Sequence, residues 1–179
     1  EYEDGIMNAK LPYAVTKLMG EKLFDAYYKE FGLNTCSLRF FNVYGSRQNY
    51  SPYGFVVGIF IKQALNNQPL TLFGDGSQTR DFTFIEDVIA TSILAMRSNC
   101  VGSINIATGK QIKIIDLAKK IIKLCNKNVK LKFLPERQYE IKNRCADITK
   151  MRKVLEFKPQ FSLEKGLMKT IEWYKTKTR

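Results

Sequence analysis

Apolar residues recur at helical spacing across residues 11–31, "LPYAVTKLMGEKLFDAYYKEF", and Gly32 follows where a left-handed residue commonly ends a helix. The next run, "NTCSLRFFNVYG" (34–45), is rich in β-forming residues, ends at a glycine and predicts one buried strand. After the loop "SRQNYSPYG", the run "FVVGIFIKQALNN" (55–67) predicts a helix that Pro69 breaks. "LTLFGDGSQTRDFTFI" (70–85) reads as a short strand, a Gly-Asp-Gly turn and a second extended segment. Residues 86–98 predict a helix with Glu86 and Asp87 in its first turn, where they suit the macrodipole. "SINIATG" (103–109) predicts a strand, 113–127 a helix and 129–135 a strand. Residues 146–157 and 162–177 predict two closing helices, the second with Ser162 as N-cap. Strands alternating with helices argue for an α/β fold with parallel strands.

Composition narrows the chemistry. The chain has 179 residues, 45% apolar, enough to bury a core in one domain or part of a larger one. No apolar run approaches the roughly 20 residues that span a bilayer. The polar opening "EYEDGIMNAK" does not read as a secretory signal. The net charge of +12 raises a polyanion partner, but the lysines scatter at helical spacings, as in "DLAKKIIKLCNKNVKLK", and read as solvated faces. The aromatics lie at core spacings rather than along a basic stripe, which argues against nucleic acid. With no histidine, a His-ligated metal and any His-dependent nucleophile are excluded. Cys36, Cys100, Cys125 and Cys145 form no C-x-x-C and read as isolated thiols of a reducing, cytoplasmic setting.

The candidate chemistry begins in the first helix. Tyr13 and Lys17 stand four apart, hence on one face. A phenol has a reference pKa of about 10, and a neighbouring ammonium stabilises the phenolate. Such a pair can exchange a proton with a sugar hydroxyl, although a half-buried tyrosine with a snorkelling lysine has the same spacing. "RFFNVYG" ends a strand, and ligands of open α/β sheets sit beyond the carboxyl ends of strands. Arg80 is suited to phosphate oxygens and Phe73 to packing on a ring. Arg80 is equally suited to an ion pair with Asp81 or a structural bond to its turn. Arg137 and Arg144 follow a strand.

Five motifs in order, Y-x-x-x-K, RFFNVYG, GDGSQTRDFTFIEDV, R-x-x-E-x-x-x-x-x-A-D and the closing SLE-x-GL-x-x-TI-x-WY, resemble the extended short-chain dehydrogenase/reductase family. Within it, the chain is similar to nucleotide-sugar epimerases and dehydratases such as UDP-glucose 4-epimerase. The resemblance implies that Tyr13 is the acid/base and that Lys17 holds the ribose of NAD and tunes the tyrosine. It implies that Phe40, Phe41 and Asn42 line the nicotinamide and the sugar. Val56 and Val57 fall near the nucleotide, and Phe73, Arg80 and Arg137 form the base and diphosphate site. The implied reaction oxidises the sugar at C4 to a 4-keto intermediate, which is then re-reduced, dehydrated or decarboxylated. The implied partner is a nucleotide-diphosphate sugar, with a UDP-sugar as the expectation, and the complete enzyme is expected to be a homodimer.

The chain departs from the family in two respects. No G-x-x-G-x-x-G precedes the Tyr–Lys pair, and the family's upstream catalytic serine or threonine is absent as well. The expectation is therefore a C-terminal portion of such an enzyme, inactive alone. It would comprise a Rossmann remnant over 1–50, then a sugar-nucleotide-binding part over 51–179 with some chain returning to the Rossmann sheet. Tyr139–Glu140 stands where many relatives have Gly-Asp, and Arg144 is similar to the arginine of uronic-acid decarboxylases, where it is suited to meet a carboxylate, although a solvent-facing arginine reads the same way. A 4-epimerase is the leading expectation. A 4,6-dehydratase or UDP-glucuronate decarboxylase is the close alternative, and a non-catalytic sugar-nucleotide-binding module is the alternative of another class.

Overall fold

The structure is a computed structural model that describes residue 3 and residues 12–48, 55–138 and 141–177. Most of the polar opening, Leu11, residues 49–54 and Tyr139–Glu140 lie outside the described residues. Helix α1 (Pro12–Phe31) ends where Gly32 takes φ 65° and its N–H bonds the Tyr28 carbonyl. Strand β1 (Cys36–Phe40) follows. The run expected to form one strand over 34–45 is in fact two. Asn42 takes φ 28° and turns the chain, so that β2 (Val43–Tyr44) pairs elsewhere. Helix α2 (Val56–Leu65) ends before Pro69, with Asn67 at φ 54°. Strands β3 (Leu70–Phe73), β4 (Thr79–Arg80) and β5 (Thr83–Phe84) lead into α3 (Ile85–Arg97). Then come β6 (Gly102–Ile106), β7 (Ile112–Lys113), α4 (Ile114–Leu124), β8 (Leu131–Leu134), α5 (Thr149–Val154) and α6 (Leu163–Lys177).

Three strand pairs are parallel: β1 with β6, β2 with β5 and β3 with β8. β4 and β7 pair antiparallel, and β7 had no counterpart in the sequence expectation. Helix α5 is six residues, shorter than the expected 146–157. Asp147 accepts the Thr149 N–H at 2.9 Å and so starts the helix late, and Glu156 at φ 49° stops it early. The Ser162 cap forms as expected, its Oγ accepting the Lys165 N–H at 3.2 Å.

Two apolar clusters organise the described residues. In the first, α2, α4 and α6 pack on one another and on β3. Ile114, Leu117, Ala118 and Ile121 supply the apolar stripe of α4 at the i, i+3, i+4, i+7 spacing of a helix face. Each fully buried Leu or Ile here contributes roughly 1.5–3 kcal/mol. The second cluster joins β1, β6, α3 and α5 through Phe41, Val88, Ile104, Ile106, Ile148 and Met151. The chain passes between the clusters repeatedly: α3, β6 and α5 derive from beyond residue 51 yet pack with β1. Ile85 touches both clusters. No helix of the described residues is long and apolar enough to cross a membrane.

Gly166 on α6 lets that helix lie directly on β2 and β5. A Cβ there would collide with the Tyr44 hydroxyl and lie 2.9 Å from Phe84 Cδ2. Both rings are almost fully buried and cannot swing aside. Gly166→Ala is therefore expected to destabilise the protein by about 1–3 kcal/mol, read as a lower urea midpoint at unchanged slope.

Candidate active site

The ends of β1 and β6 define the site. Helix α1 runs back past β1, and a polar clamp fixes the alignment. Arg39 donates from Nε and Nη2 to the two carboxylate oxygens of Glu21, at 2.8 and 2.6 Å. Ser103 on β6 adds its hydroxyl to the same carboxylate at 3.2 Å. The forked geometry gives direction as well as attraction. Glu21 lies level with Arg39, next to the last residue of β1. At 1.5 Å rise per residue, Lys17 then stands about 6 Å and Tyr13 about 12 Å farther along the helix. Both are carried beyond the carboxyl end of the strand. Lys17 Nζ sits 5.4 Å from the centroid of the Tyr13 ring, so the two share a face, and both are exposed. Phe40 stands at the same end of β1 and is 52% exposed.

A buried carboxylate gathers the neighbouring loops. Asp81 has no exposed surface. It accepts the Thr108 N–H at 3.0 Å, the Thr108 hydroxyl and the Gly109 N–H at 2.8 Å, all from the turn that follows β6. Its own carbonyl accepts the Asn42 side-chain amide at 3.1 Å, and the Asn42 carbonyl receives the Thr83 N–H at 3.3 Å. Asn42 therefore ties the end of β1 to the Arg80–Asp81 segment. Phe41 is buried in the second cluster, with its N–H on the Ile106 carbonyl. Val57 is buried in the first cluster, and Val56 is half-buried beside it.

The arginines collect on one edge. Arg80 Nη1 donates to the Thr79 carbonyl at 2.8 Å and the Ile141 carbonyl at 2.6 Å. The backbone of 142–144 runs against Thr79: Thr79 N–H bonds the Lys142 carbonyl, and Arg144 N–H bonds the Thr79 carbonyl. Arg80 and half-buried Arg144 thus flank one short β contact. Arg137 stacks over Phe73, with Cζ 3.8 Å from the ring centroid. Beside this stack lies a pocket of about 240 Å³ lined by Phe73, Gly74, Gln78, Glu136 and Lys142, among others.

Sequence reasoning did not find Glu21, Arg39 or the carboxylate role of Asp81. The available signal for the first pair was an arginine inside the apolar strand "CSLRFF" and a glutamate one turn beyond Lys17.

The family model described as GDP-mannose 4,6 dehydratase matches residues 2–170. The chain belongs to that family. It is 36% identical over 170 residues to a UDP-N-acetyl-α-D-glucosaminuronate decarboxylase of Bacillus cytotoxicus, covering 91% of this chain and 53% of that protein. The UDP-glucose 4-epimerase of Thermotoga maritima, solved with UDP-glucose, superposes with a TM-score of 0.97 at 30% identity, covering 100% of this chain and 58% of that one. The UDP-glucuronic acid 4-epimerase of Bacillus cereus, solved with NAD, gives 0.89 at 37% identity, covering 100% and 57%. The chain spans about half the length of the curated relatives it matches. The fold is that of the family's Rossmann-type α/β enzymes, and the relatives include UDP-sugar epimerases and decarboxylases.

The clamp makes a prediction of its own. The Arg39 hydrogen bonds hold the Glu21 carboxyl below the ordinary carboxylate range, against an opposing push from burial. A depressed folded-state value means the stabilisation is complete above the unfolded-state pKa of roughly 4 and is lost as pH falls through the folded one. Glu21→Gln should cost about 1 kcal/mol near pH 7. The gap to wild type should narrow below about pH 4, measured by urea unfolding across pH. A gap independent of pH would assign the loss to packing.

Proposed function

We propose that this chain carries the catalytic tyrosine and the nucleotide-sugar half of an NAD-dependent epimerase acting at sugar C4. The observation that supports it most is the Tyr13–Lys17 face, held beyond the carboxyl end of β1 by the Glu21–Arg39 clamp, in a member of a family rich in UDP-sugar epimerases.

The residues suit one end of NAD. An exposed tyrosine and lysine on one face beside the exposed Phe40 ring suit the ribose and nicotinamide. The glycines of these 179 residues form no G-x-x-G-x-x-G cradle for its pyrophosphate. When bound, NAD supplies a hydride acceptor and donor. Lys17 hydrogen-bonds the ribose hydroxyls and stabilises negative charge on the Tyr13 oxygen. Tyr13 Oη takes the proton of the C4 hydroxyl as that carbon is oxidised and returns it on reduction. Arg80 and Arg137 meet the diphosphate, with Phe73 packing at the base end and Asn42 at the sugar. Val56, at the start of α2, borders the nucleotide, and Val57 behind it supports that helix start.

In the full-length protein, Tyr13→Phe should lower kcat for UDP-glucose epimerisation by about 10²–10⁴-fold at similar KM. A Tyr13→Phe variant that retains wild-type kcat would remove the tyrosine from the proton transfer.

A second reading is favoured by Arg144, which shares its short β contact with Arg80. Here the substrate carries a uronic carboxylate that Arg144 meets, and the 4-keto intermediate loses carbon dioxide or is re-reduced. The decarboxylase and glucuronate-epimerase relatives are consistent with it. Arg144→Ala in the full-length protein should then weaken use of UDP-glucuronate by at least tenfold and leave UDP-glucose nearly unaffected. Equal losses on both substrates would discard the carboxylate contact.

A further inference from the structure

The four cysteines are far apart in sequence, yet two of them meet. Cys36 opens β1, and Cys100 stands two residues before Gly102, the β6 residue that pairs with Cys36. The parallel register brings the two chain entries together, and the sulfur atoms are 2.6 Å apart. The two are not joined in a disulfide in this structure. Cys100 is buried and Cys36 is partly exposed. The Cys100 N–H is held by the Ser98 hydroxyl at 3.2 Å, which fixes the short segment leading into β6. Cys125 is buried in the other cluster, and Cys145 lies beside Asp81. The contact is therefore specific to one pair.

We propose that Cys36 and Cys100 are a redox-modification site, closing to a disulfide that locks the entry of β1 to the entry of β6. The co-reactant is a small-molecule disulfide such as oxidised glutathione. The Cys36 thiolate, the more accessible of the two, attacks one glutathione sulfur. One Cys36–glutathione bond forms, the glutathione disulfide bond breaks, and a glutathione thiolate leaves. The Cys100 thiolate then attacks Cys36 Sγ, forming the intramolecular bond and releasing the second glutathione. The two protein protons end on the two glutathione thiols. Two protein thiols are oxidised and one glutathione disulfide is reduced.

Burial and the neighbouring Cys100 push the Cys36 thiol up to about 12, against a downward pull from Lys150. Attack requires the thiolate, so the pair resists casual oxidation and closes slowly at neutral pH. Closure affects the same two strands that Arg39, Glu21 and Ser103 clamp, and the strand locked at Cys36 ends at Phe40.

The test is to incubate the purified native protein with oxidised glutathione, then denature it, alkylate it and analyse it by peptide mapping. Alkylatable cysteines are expected to fall from four to two, with one disulfide-linked peptide pair joining Cys36 to Cys100. The midpoint of thermal unfolding should rise by roughly 5–10 °C and return on reduction with dithiothreitol. Cys36→Ser and Cys100→Ser should each abolish the linked pair and the reversible shift, and each leaves its partner at most glutathionylated. Four alkylatable cysteines after prolonged exposure, or a linkage through Cys125 or Cys145, would overturn the proposal. The peptide map does not depend on the serine variants folding well.

Discussion

The carboxylate of Asp81 is the point on which the arrangement turns. A carboxyl group without exposed surface is tolerated only when its oxygens are hydrogen-bonded. Here two backbone N–H groups and a hydroxyl, all from Thr108 and Gly109, meet it. Those donors lie at the turn after β6, and the backbone of Asp81 lies against Asn42 at the end of β1. One residue thus fixes where both parallel strands stop. It also fixes its neighbour Arg80, whose guanidinium clasps the Thr79 and Ile141 carbonyls. Removing the carboxylate would take away the partner that the Thr108 and Gly109 N–H groups and the Thr108 hydroxyl share, and with it the tie between the turn after β6 and the Arg80–Asp81 segment.

That dependence explains which parts of the structure were legible in sequence. The helices were readable because their apolar spacing is a local signal, as the α4 stripe Ile114, Leu117, Ala118 and Ile121 shows. The Tyr13–Lys17 face was readable for the same reason, being a property of one helical turn. The break at Asn42 was not, because "RFFNVYG" is apolar and β-forming throughout. What bends it is a bond to Asp81 across 39 residues. The late start of α5 follows from the same limit: a good helix-forming run yields its first residues to packing and to the Asp147 turn.

The arginines illustrate a related point. By sequence, Arg80 is suited to reading phosphate, to pairing with Asp81 or to bonding its turn. The structure gives it backbone bonds to Thr79 and Ile141, while the Asp81 carboxylate serves Thr108 and Gly109. A structural bond does not compete with ligand binding in a guanidinium, which has five N–H donors in a rigid fork. Anchoring one nitrogen limits the rotamer freedom that a long side chain would otherwise lose on meeting an anion. Arg137 has a comparable device in its stack on Phe73, a cation–π contact worth roughly 0.5–1 kcal/mol at an exposed site.

Among the described residues, directional polar contacts set the register of helix α1. None of its described residues is buried, and Leu23, Phe24 and Tyr27 are exposed. The forked Glu21–Arg39 pair, the Ser103 hydroxyl and the bond from Thr35 Oγ1 to the Phe24 carbonyl supply the registration. Such bonds are directional where apolar contact is not. A slide of α1 by one residue would move the pair by about 1.5 Å and turn it by about 100°, at the cost of both guanidinium bonds. For the proposed proton transfer, which needs its groups within hydrogen-bond reach of a sugar hydroxyl, the clamp supplies a steep local constraint on register.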